Sequence, residues 1–239
     1  LMPLGILPTR GWPLAALMLA ASWLAPAAWP AELPASVSNA DAVSALRQAL
    51  TQGSTAAVGK LGVADGFLGN PKVRIPLPGK MRKAEKWLRK AGYGAQIDEL
   101  STTMNRAAEA AVPEAKQLLV DSIRQMSLAD ARAILTGGDD AATQYFRKVT
   151  REPLAARFLP VVKKSTDKLG LVAQYNELAA TATKFGLMKA DEASVEQYVT
   201  QKALDGLYLM IAEEELAIRK DPLGQANSLL RRVFGSIKP

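Results

Sequence analysis

Apolar residues recur every three or four positions along most of this 239-residue chain. The first such stretch runs from Ser38 to about Gly62 and has its apolar residues at Val43, Leu46, Leu50, Ala57, Val58 and Leu61. Spacing of this kind places side chains on one face of an α-helix, and no stretch shows the two-residue alternation of a half-buried strand. The pattern therefore predicts an all-α fold of about nine helices.

The predicted helices are expected to share a single compact domain. A chain of this length with 49% hydrophobic and 22% charged residues buries a substantial core. The clearest interruption is the segment 62–80, which holds four Gly and three Pro and therefore cannot be helical. It lies too near the start of the domain to separate two domains. Its KVRIP stretch, residues 72–76, is at best a short extended segment.

Prolines are expected to interrupt two of the later helical stretches. Pro113 marks a kink or a new start within the stretch 96–126. A helix that runs through Val149 is predicted to be followed by a separate helix over 154–169, which Pro160 should bend.

The longest helix is predicted from Asp191 to about Lys220. Its segment ALDGLYLMIA, residues 203–212, is apolar nearly all round, so we expect this helix to be buried on several sides in the middle of the domain. Gly206 should allow a neighbouring helix to approach closely. A final helix is predicted to begin at Asp221 and Pro222, an N-cap followed by proline at the first helical position.

The first residues have the order of a secretory signal peptide. Arg10 precedes an apolar run, Trp12 to Leu24, and the small residues Ala25-Pro26-Ala27 follow. The run is shorter than the roughly 20 residues that cross a bilayer, which argues against the alternative of a retained anchor. We predict a signal peptide over 1–27 with cleavage as late as Ala35, a short linker over 28–37, and the helical domain over 38–239.

Composition narrows the compartment and the chemistry. The chain has no Cys and no His, which excludes thiol nucleophiles, disulfides, His-dependent triads, the usual zinc sites and lipoprotein attachment. We therefore expect a periplasmic or secreted protein without a transmembrane segment in its mature form, and no cofactor or metal. The net charge of +7 favours anionic partners, such as lipid head groups, lipopolysaccharide or an acidic protein. Nucleic acid is not expected, since it is scarce outside the cell.

A basic segment is the first candidate site. It contains Lys72, Arg74, Lys80, Arg82, Lys83, Lys86, Arg89 and Lys90, and Glu85 is the only acidic residue among them. On a helix, Arg82, Lys86, Arg89 and Lys90 share a face, with Trp87 and Leu88 set apart from it. Such a face suits phosphates of lipid head groups, and each contact would be sensitive to salt. The alternative is a solvated surface whose apolar side packs on the core.

Polar residues in the middle of a predicted helix form the second candidate. Asn105, Arg106 and Glu109 lie within one turn, and Asn is a mediocre helix former whose presence there indicates a hydrogen-bonded role. An internal polar network that fixes helix register explains the set, and so does a ligand pocket. The pocket is the basis for an alternative function, a hydrolase or lyase with a carboxylate, Tyr or Lys site.

Two acidic stretches are interpreted as structural. Within the run Glu213–Glu215, consecutive residues point in different directions, and we expect Glu215 to form a surface ion pair with Arg219. In GGDD, residues 137–140, a glycine is predicted to take the left-handed conformation that ends one helix, and an Asp to cap the next. Replacing both aspartates by Ala is then expected to cost about 1–2 kcal/mol.

Four segments resemble a known family. They are VRIPLPGKMRKAEKWLRKAGYG, DELSTTMNRAAEAAVPEAKQLL, ILTGGDDAATQYFR and FLPVVKKSTDKLG. In this order they resemble the bacterial exported family catalogued as domain of unknown function 4197, over roughly Ser38 to Ser236. The resemblance implies an exported, single-domain, mainly helical protein. It implies no activity, so it assigns no catalytic role to any residue.

The sequence thus favours a non-catalytic binding module of the cell envelope that engages an anionic partner through its basic segment. The alternatives are the hydrolase or lyase, and a small-molecule carrier with an apolar cavity between its helices.

Overall fold

The computed structural model describes residues 39–168, 170–187 and 194–221, which all belong to one compact unit. The helices are α1 (Asn39–Leu61), α2 (Gly79–Lys90), α3 (Gly94–Ala111), a 3₁₀ turn (Val112–Glu114), α4 (Ala115–Gln125), α5 (Leu128–Thr136), α6 (Ala141–Lys168), α7 (Leu171–Lys184) and α8 (Val195–Lys220). No strand occurs in these ranges, which confirms the all-α prediction. The predicted signal peptide, linker and final helix lie outside the described residues.

Helix α8 occupies the middle of the domain, as its composition predicts. It packs against α6, α1 and α3. Its buried residues include Gly206, Leu207 and Tyr208, three consecutive positions that together span about 200° around the axis. None of the described helices is long and apolar enough to cross a bilayer.

Helix α6 differs from the prediction because it runs unbroken through two prolines. The segments predicted as separate helices before and after Val149 form one helix, with Pro153 and Pro160 inside it. These prolines are seven residues apart, so they lie on the same side of the helix, and both are exposed. The carbonyls that lose their helical donors therefore lie on the solvent side. Leu154 and Phe158 pack into the core on the opposite side.

Most helix ends lie where local signals place them. Gly92 and Gly186 have positive φ values of 94° and 68° at the ends of α2 and α7. Ser127 and Asp130 form the capping box that opens α5. Pro113 lies in the 3₁₀ turn that separates α3 from α4.

The Pro- and Gly-rich segment between α1 and α2 is irregular and largely packed on the core. Residues 71–73 form a turn, closed by a hydrogen bond from the Arg74 N–H to the Asn70 carbonyl (2.8 Å). Residues 74–78, which we call the extended segment, are neither helix nor strand, and Ile75 and Leu77 are buried while Arg74 and Pro76 are exposed. The predicted extended segment therefore covers only the second part of residues 72–76.

Phe67 is fully buried and lies against Gly206 of α8, where an added Cβ would come within 2.7 Å of the ring. The close approach predicted at Gly206 therefore exists, but the neighbour is this loop and not a helix.

Candidate functional site

Asn105 binds the backbone of the extended segment. This fully buried residue of α3 accepts a hydrogen bond from the Ile75 N–H (2.8 Å) through Oδ1. Its Nδ2 donates to the Ile75 carbonyl (3.1 Å) and to the Ser101 carbonyl (2.8 Å). The buried N–H and carbonyl of Ile75, which have no β-sheet partner, are thereby both hydrogen-bonded. Asn105 thus replaces a neighbouring strand.

Glu109, one helical turn further along α3, holds the earlier part of the same loop. One of its carboxylate oxygens accepts hydrogen bonds from the Phe67 N–H (3.0 Å) and the Leu68 N–H (3.1 Å). The other accepts from Arg106 (2.7 Å), and Arg106 also donates to Asp65 (2.8 Å). Asp65 has a φ of 65°, a left-handed conformation that Asp tolerates better than most residues.

The three polar residues singled out on α3 therefore fasten a loop onto a helix. Asn105 and Glu109 are buried, and their hydrogen bonds go to backbone and side chains of the loop and of α3 itself. Their donors and acceptors are engaged by the protein and are not directed into an open cleft. This arrangement fixes the position of a loop relative to α3, whereas the sequence suggested a network between helices or a pocket.

Glu215 forms a second anchor of this kind, which the sequence did not reveal. Its side chain is only 7% exposed, and its two oxygens accept hydrogen bonds from the Ala142 and Thr143 N–H groups, both at 2.9 Å. The Thr143 hydroxyl donates to the same carboxylate, and Arg219 pairs with it at 2.9 Å. The predicted ion pair with Arg219 exists, but it is buried and caps the start of α6. A negative group is favourable there because the helix dipole is positive at that end.

The GGDD stretch therefore works differently from the prediction. The backbone donors at the start of α6 are bound by Glu215, and Asp140 accepts instead from the Gln144 side chain (2.8 Å). Gly137 is extended (φ −82°, ψ 177°) and not left-handed. A Cβ there would lie 2.6 Å from both the Ala133 oxygen and the Ala141 Cβ. Space, and not backbone handedness, requires glycine at this position.

Two cations of the basic segment are neutralised within the domain. Lys72 pairs with Glu213 of α8 at 2.6 Å. Arg89 pairs with Glu85 at 3.0 Å and with Asp98 of α3 at 2.7 Å. The hydrogen bond from Arg89 lowers the pKa of Asp98 below its usual value. These two cations are thus partly compensated as sites for an external anion.

The other described cations of the basic segment are exposed and form no ion pair with any described residue. Arg74 lies on the extended segment, and the Lys80 side chain is outside the described part. The remaining four lie on α2 opposite its buried residues, and we call them the basic face: Arg82, Lys83, Lys86 and Lys90. Within the described part of the chain they present a positive surface without acidic partners.

Trp87 lies beside the basic face. It is 43% exposed, although a residue on the apolar side of α2 would be expected to pack on the core. Its ring contacts that of Phe185, at the end of α7, with centroids 4.4 Å apart and planes inclined by 48°. Phe185 is itself 51% exposed. The result is an exposed aromatic pair at the edge of a basic helix.

Carboxylate, Tyr and Lys side chains meet in an open cleft of about 490 Å³ between α4, α5 and α6. The groups are Asp121, Asp130, Tyr145 and Lys148. The Tyr145 hydroxyl donates to the Ser122 carbonyl at 3.0 Å, and burial raises its pKa. Asp130 closes the α5 capping box, and Asp121 accepts from Gln117 (2.8 Å). Three of the four groups are thus engaged by the protein.

Two further kinds of site can be assessed in the described ranges. An apolar hollow lined by Leu46, Leu50 and Ile218 has a volume of about 20 Å³, which is room for about one water molecule. That is far less than the several hundred Å³ of a typical small-molecule pocket. No group of three or more Asp or Glu side chains that could hold a metal ion occurs among the residues that the structure describes.

Comparison with known proteins adds a family but no activity. No curated protein and no solved structure matches the chain. A family model with the description "Protein of unknown function (DUF4197)" matches residues 36–235, which include every helix described above. The chain therefore belongs to the family described as Protein of unknown function (DUF4197).

Proposed function

We propose that this protein is an exported, non-catalytic binding module of the cell envelope, and that it engages an anionic partner through the basic face of α2. The observation that carries the proposal is the exposed charge of Arg82, Lys83, Lys86 and Lys90, none of which pairs with an acidic residue that the structure describes. Four cations on a helix of 12 residues repel one another, and a negative surface is the partner that relieves this repulsion.

The use of the other polar groups supports binding over catalysis. Glu109 and Glu215 bind backbone N–H groups, so using either of them as a general acid or base would break contacts that hold the fold, and the Asn105 amide is occupied by backbone groups. Among the four ionisable groups of the cleft between α4, α5 and α6, Lys148 is the one without a hydrogen bond or ion pair to a described residue, and one amine alone does not form a catalytic pair.

Binding to vesicles that contain phosphatidylglycerol tests the proposal. The full chain is compared with the triple variant Arg82→Ala, Lys86→Ala, Lys90→Ala. Each cation near an anionic surface contributes about 1 kcal/mol, so we expect the triple variant to bind on the order of 100-fold more weakly. Binding of the unaltered protein should also fall steeply with salt.

The matched control removes three exposed lysines from the last turns of α6. Lys163→Ala, Lys164→Ala, Lys168→Ala changes the net charge equally but lies at the end of α6, which leads into the start of α7, whereas Phe185 follows the end of α7. Every variant keeps residues 1–38, so any contribution of that segment is common to all. Equal losses in the two triple variants would indicate a general charge effect, and binding unaffected by the α2 substitutions would refute the proposal.

A further inference from the structure

We infer that the partner of the basic face is the surface of a lipid bilayer rich in anionic phospholipid, and that Trp87 and Phe185 enter its head-group region. The inference rests on the proposed function and specifies it. The basic face alone would suit any polyanion, and the exposed aromatic pair is the feature that distinguishes a membrane from the other polyanions.

Trp87 and Phe185 are each about half exposed, and no other described residue covers their exposed surface. Large apolar side chains that remain partly in water forgo part of the stabilisation that burial would give them. Other exposed apolar residues, such as Leu128 and Val63, are aliphatic, whereas the tilted rings of Trp87 and Phe185 contact each other with centroids 4.4 Å apart. Trp is enriched at membrane interfaces, where its ring is partly desolvated and its N–H finds a polar partner.

The lysines surround the aromatic pair on the solvent side. Lys83 and Lys90 lie one turn before and one turn after Trp87, so all three share one side of α2. Lys184 immediately precedes Phe185 and is also exposed. Long lysine side chains can extend to phosphates while the ring beside them enters the interface.

The acidic groups of this region lie on the opposite edge of the helix. Glu85 and Asp98 are both bonded to Arg89, which is separated from Trp87 by about 160° around the α2 axis. The side that carries Trp87 therefore approaches an anionic surface without acidic side chains of α2 in between. Charge and apolar exposure favour the same orientation.

The shape of this surface favours a bilayer over a small anion. Lys83, Lys86 and Lys90 project from the convex side of a helix whose buried side is formed by Met81, Ala84 and Leu88. A convex surface cannot enclose a ligand, but it can lie along a plane. Because the apolar side of α2 is already packed on the core, contact with the plane is made by the lysines and by the aromatic pair beside them.

Fluorescence of Trp87 in the full chain provides the test. The other three tryptophans, Trp12, Trp23 and Trp29, lie outside the described residues and are replaced by Phe, so that all emission comes from Trp87. Vesicles of phosphatidylcholine with and without phosphatidylglycerol are added, with bromine on the acyl chains in one series. We expect a blue shift and quenching by bromine only when phosphatidylglycerol is present. Lys83→Glu, Lys86→Glu, Lys90→Glu in the same background should abolish both.

A second pair of variants tests the apolar contribution. Phe185→Ala should weaken binding to phosphatidylglycerol vesicles about tenfold, since it removes one inserted ring. Leu128→Ala removes an even more exposed apolar residue, on α5 (63% exposed), and should leave binding unchanged. Circular dichroism verifies that each variant unfolds at a similar temperature. An equal effect of the two substitutions would overturn the inference.

The outcomes separate this inference from the proposed function. If vesicles bind with the expected charge dependence but Trp87 is neither shifted nor quenched, the inference is wrong and the proposed function stands. The same holds if Trp87 responds to polyglutamate or to lipopolysaccharide and not to phosphatidylglycerol. If no anionic probe binds through the basic face, both fail.

Discussion

The neighbouring helices α2 and α3 use their polar residues in opposite ways. On α3, Asn105 makes three hydrogen bonds to backbone groups, and Glu109 makes three more bonds, two of them to backbone N–H groups. On α2, Lys86 and Lys90 form no bond to any described residue and extend into solvent. The α3 residues use their bonding capacity inside the domain, and the α2 residues leave theirs available.

The difference separates residues that hold the fold from residues that can meet a partner. Buried backbone groups must be paired, so the side chains that pair them cannot be lost without a large cost. We call Asn105, Glu109 and Glu215 the internal anchors. Substitutions in the internal anchors should change stability, and substitutions in the basic face should change binding and leave stability intact.

The largest effect is expected from Glu215→Ala. It removes the acceptor for the Ala142 and Thr143 N–H groups and leaves Arg219, whose side chain is 16% exposed, without its carboxylate. Breaking a buried ion pair by removing one partner costs about 3–5 kcal/mol. Urea denaturation followed by circular dichroism measures the loss.

The control is the adjacent Glu214→Ala. Glu214 pairs with Lys60, whose side chain is 60% exposed, and an exposed pair of this kind contributes about 0–1 kcal/mol. Similar losses for the two substitutions would show that Glu215 is not an internal anchor.

The next largest effect is expected from Asn105→Ala. The Ile75 N–H and carbonyl lose their partners inside the core, and each unsatisfied buried group costs about 1–3 kcal/mol. We predict a loss of about 2–4 kcal/mol in the free energy of unfolding. Hydrogen exchange should also become faster at Ile75, because the loop loses its attachment to α3.

Thr102→Ala is the matched control on the same helix. The Thr102 hydroxyl is exposed and bonds only to the Asp98 carbonyl one turn earlier, so its loss should change stability by less than about 0.5 kcal/mol. A loss in Asn105→Ala no greater than this would contradict the role assigned to Asn105.

The sequence was sufficient for the features that local chemistry determines. Helical spacing predicted the fold class, and Pro113, predicted to mark a kink or a new start, lies in a 3₁₀ turn. The left-handed Gly92 and Gly186 and the Ser127 capping box are signals of the same local kind. Each depends on residues within a few positions of one another. Such signals are legible without knowledge of the packing.

The features that were missed depend on residues far apart in the chain. Glu215 caps a helix that begins more than 70 residues earlier. The close approach at Gly206 was predicted, but nothing in the local sequence indicates that the neighbour is Phe67 of the loop and not a helix. Likewise α6 continues through Pro153 because that side of the helix faces solvent. The spacing of apolar residues does not predict whether a proline lies on the solvent side of a helix. The Glu215 cap, the neighbour of Gly206 and the continuity of α6 all depend on tertiary packing.

Substituting the two aspartates of GGDD should destabilise the protein less than the sequence indicated. Because Glu215 binds the Ala142 and Thr143 N–H groups, Asp139→Ala, Asp140→Ala removes only charges near the helix start and one exposed bond to Gln144. In 0.5 M NaCl, which screens the helix dipole, we expect a loss below about 0.5 kcal/mol. The capping residue Ser127→Ala should lose about 1 kcal/mol under the same conditions. A double variant that loses as much as the Ser127 variant would restore the capping role of the aspartates.

The smallest change in stability is expected from the basic face itself. Arg82→Ala, Lys86→Ala, Lys90→Ala removes no bond to a described residue, lowers the repulsion between like charges, and introduces a good helix former at each position. The free energy of unfolding should therefore stay the same within about 0.5 kcal/mol or rise slightly, while binding to anionic vesicles falls. A loss of more than about 1 kcal/mol in urea denaturation would mean that these cations hold the fold, and the contrast between α2 and α3 would then disappear.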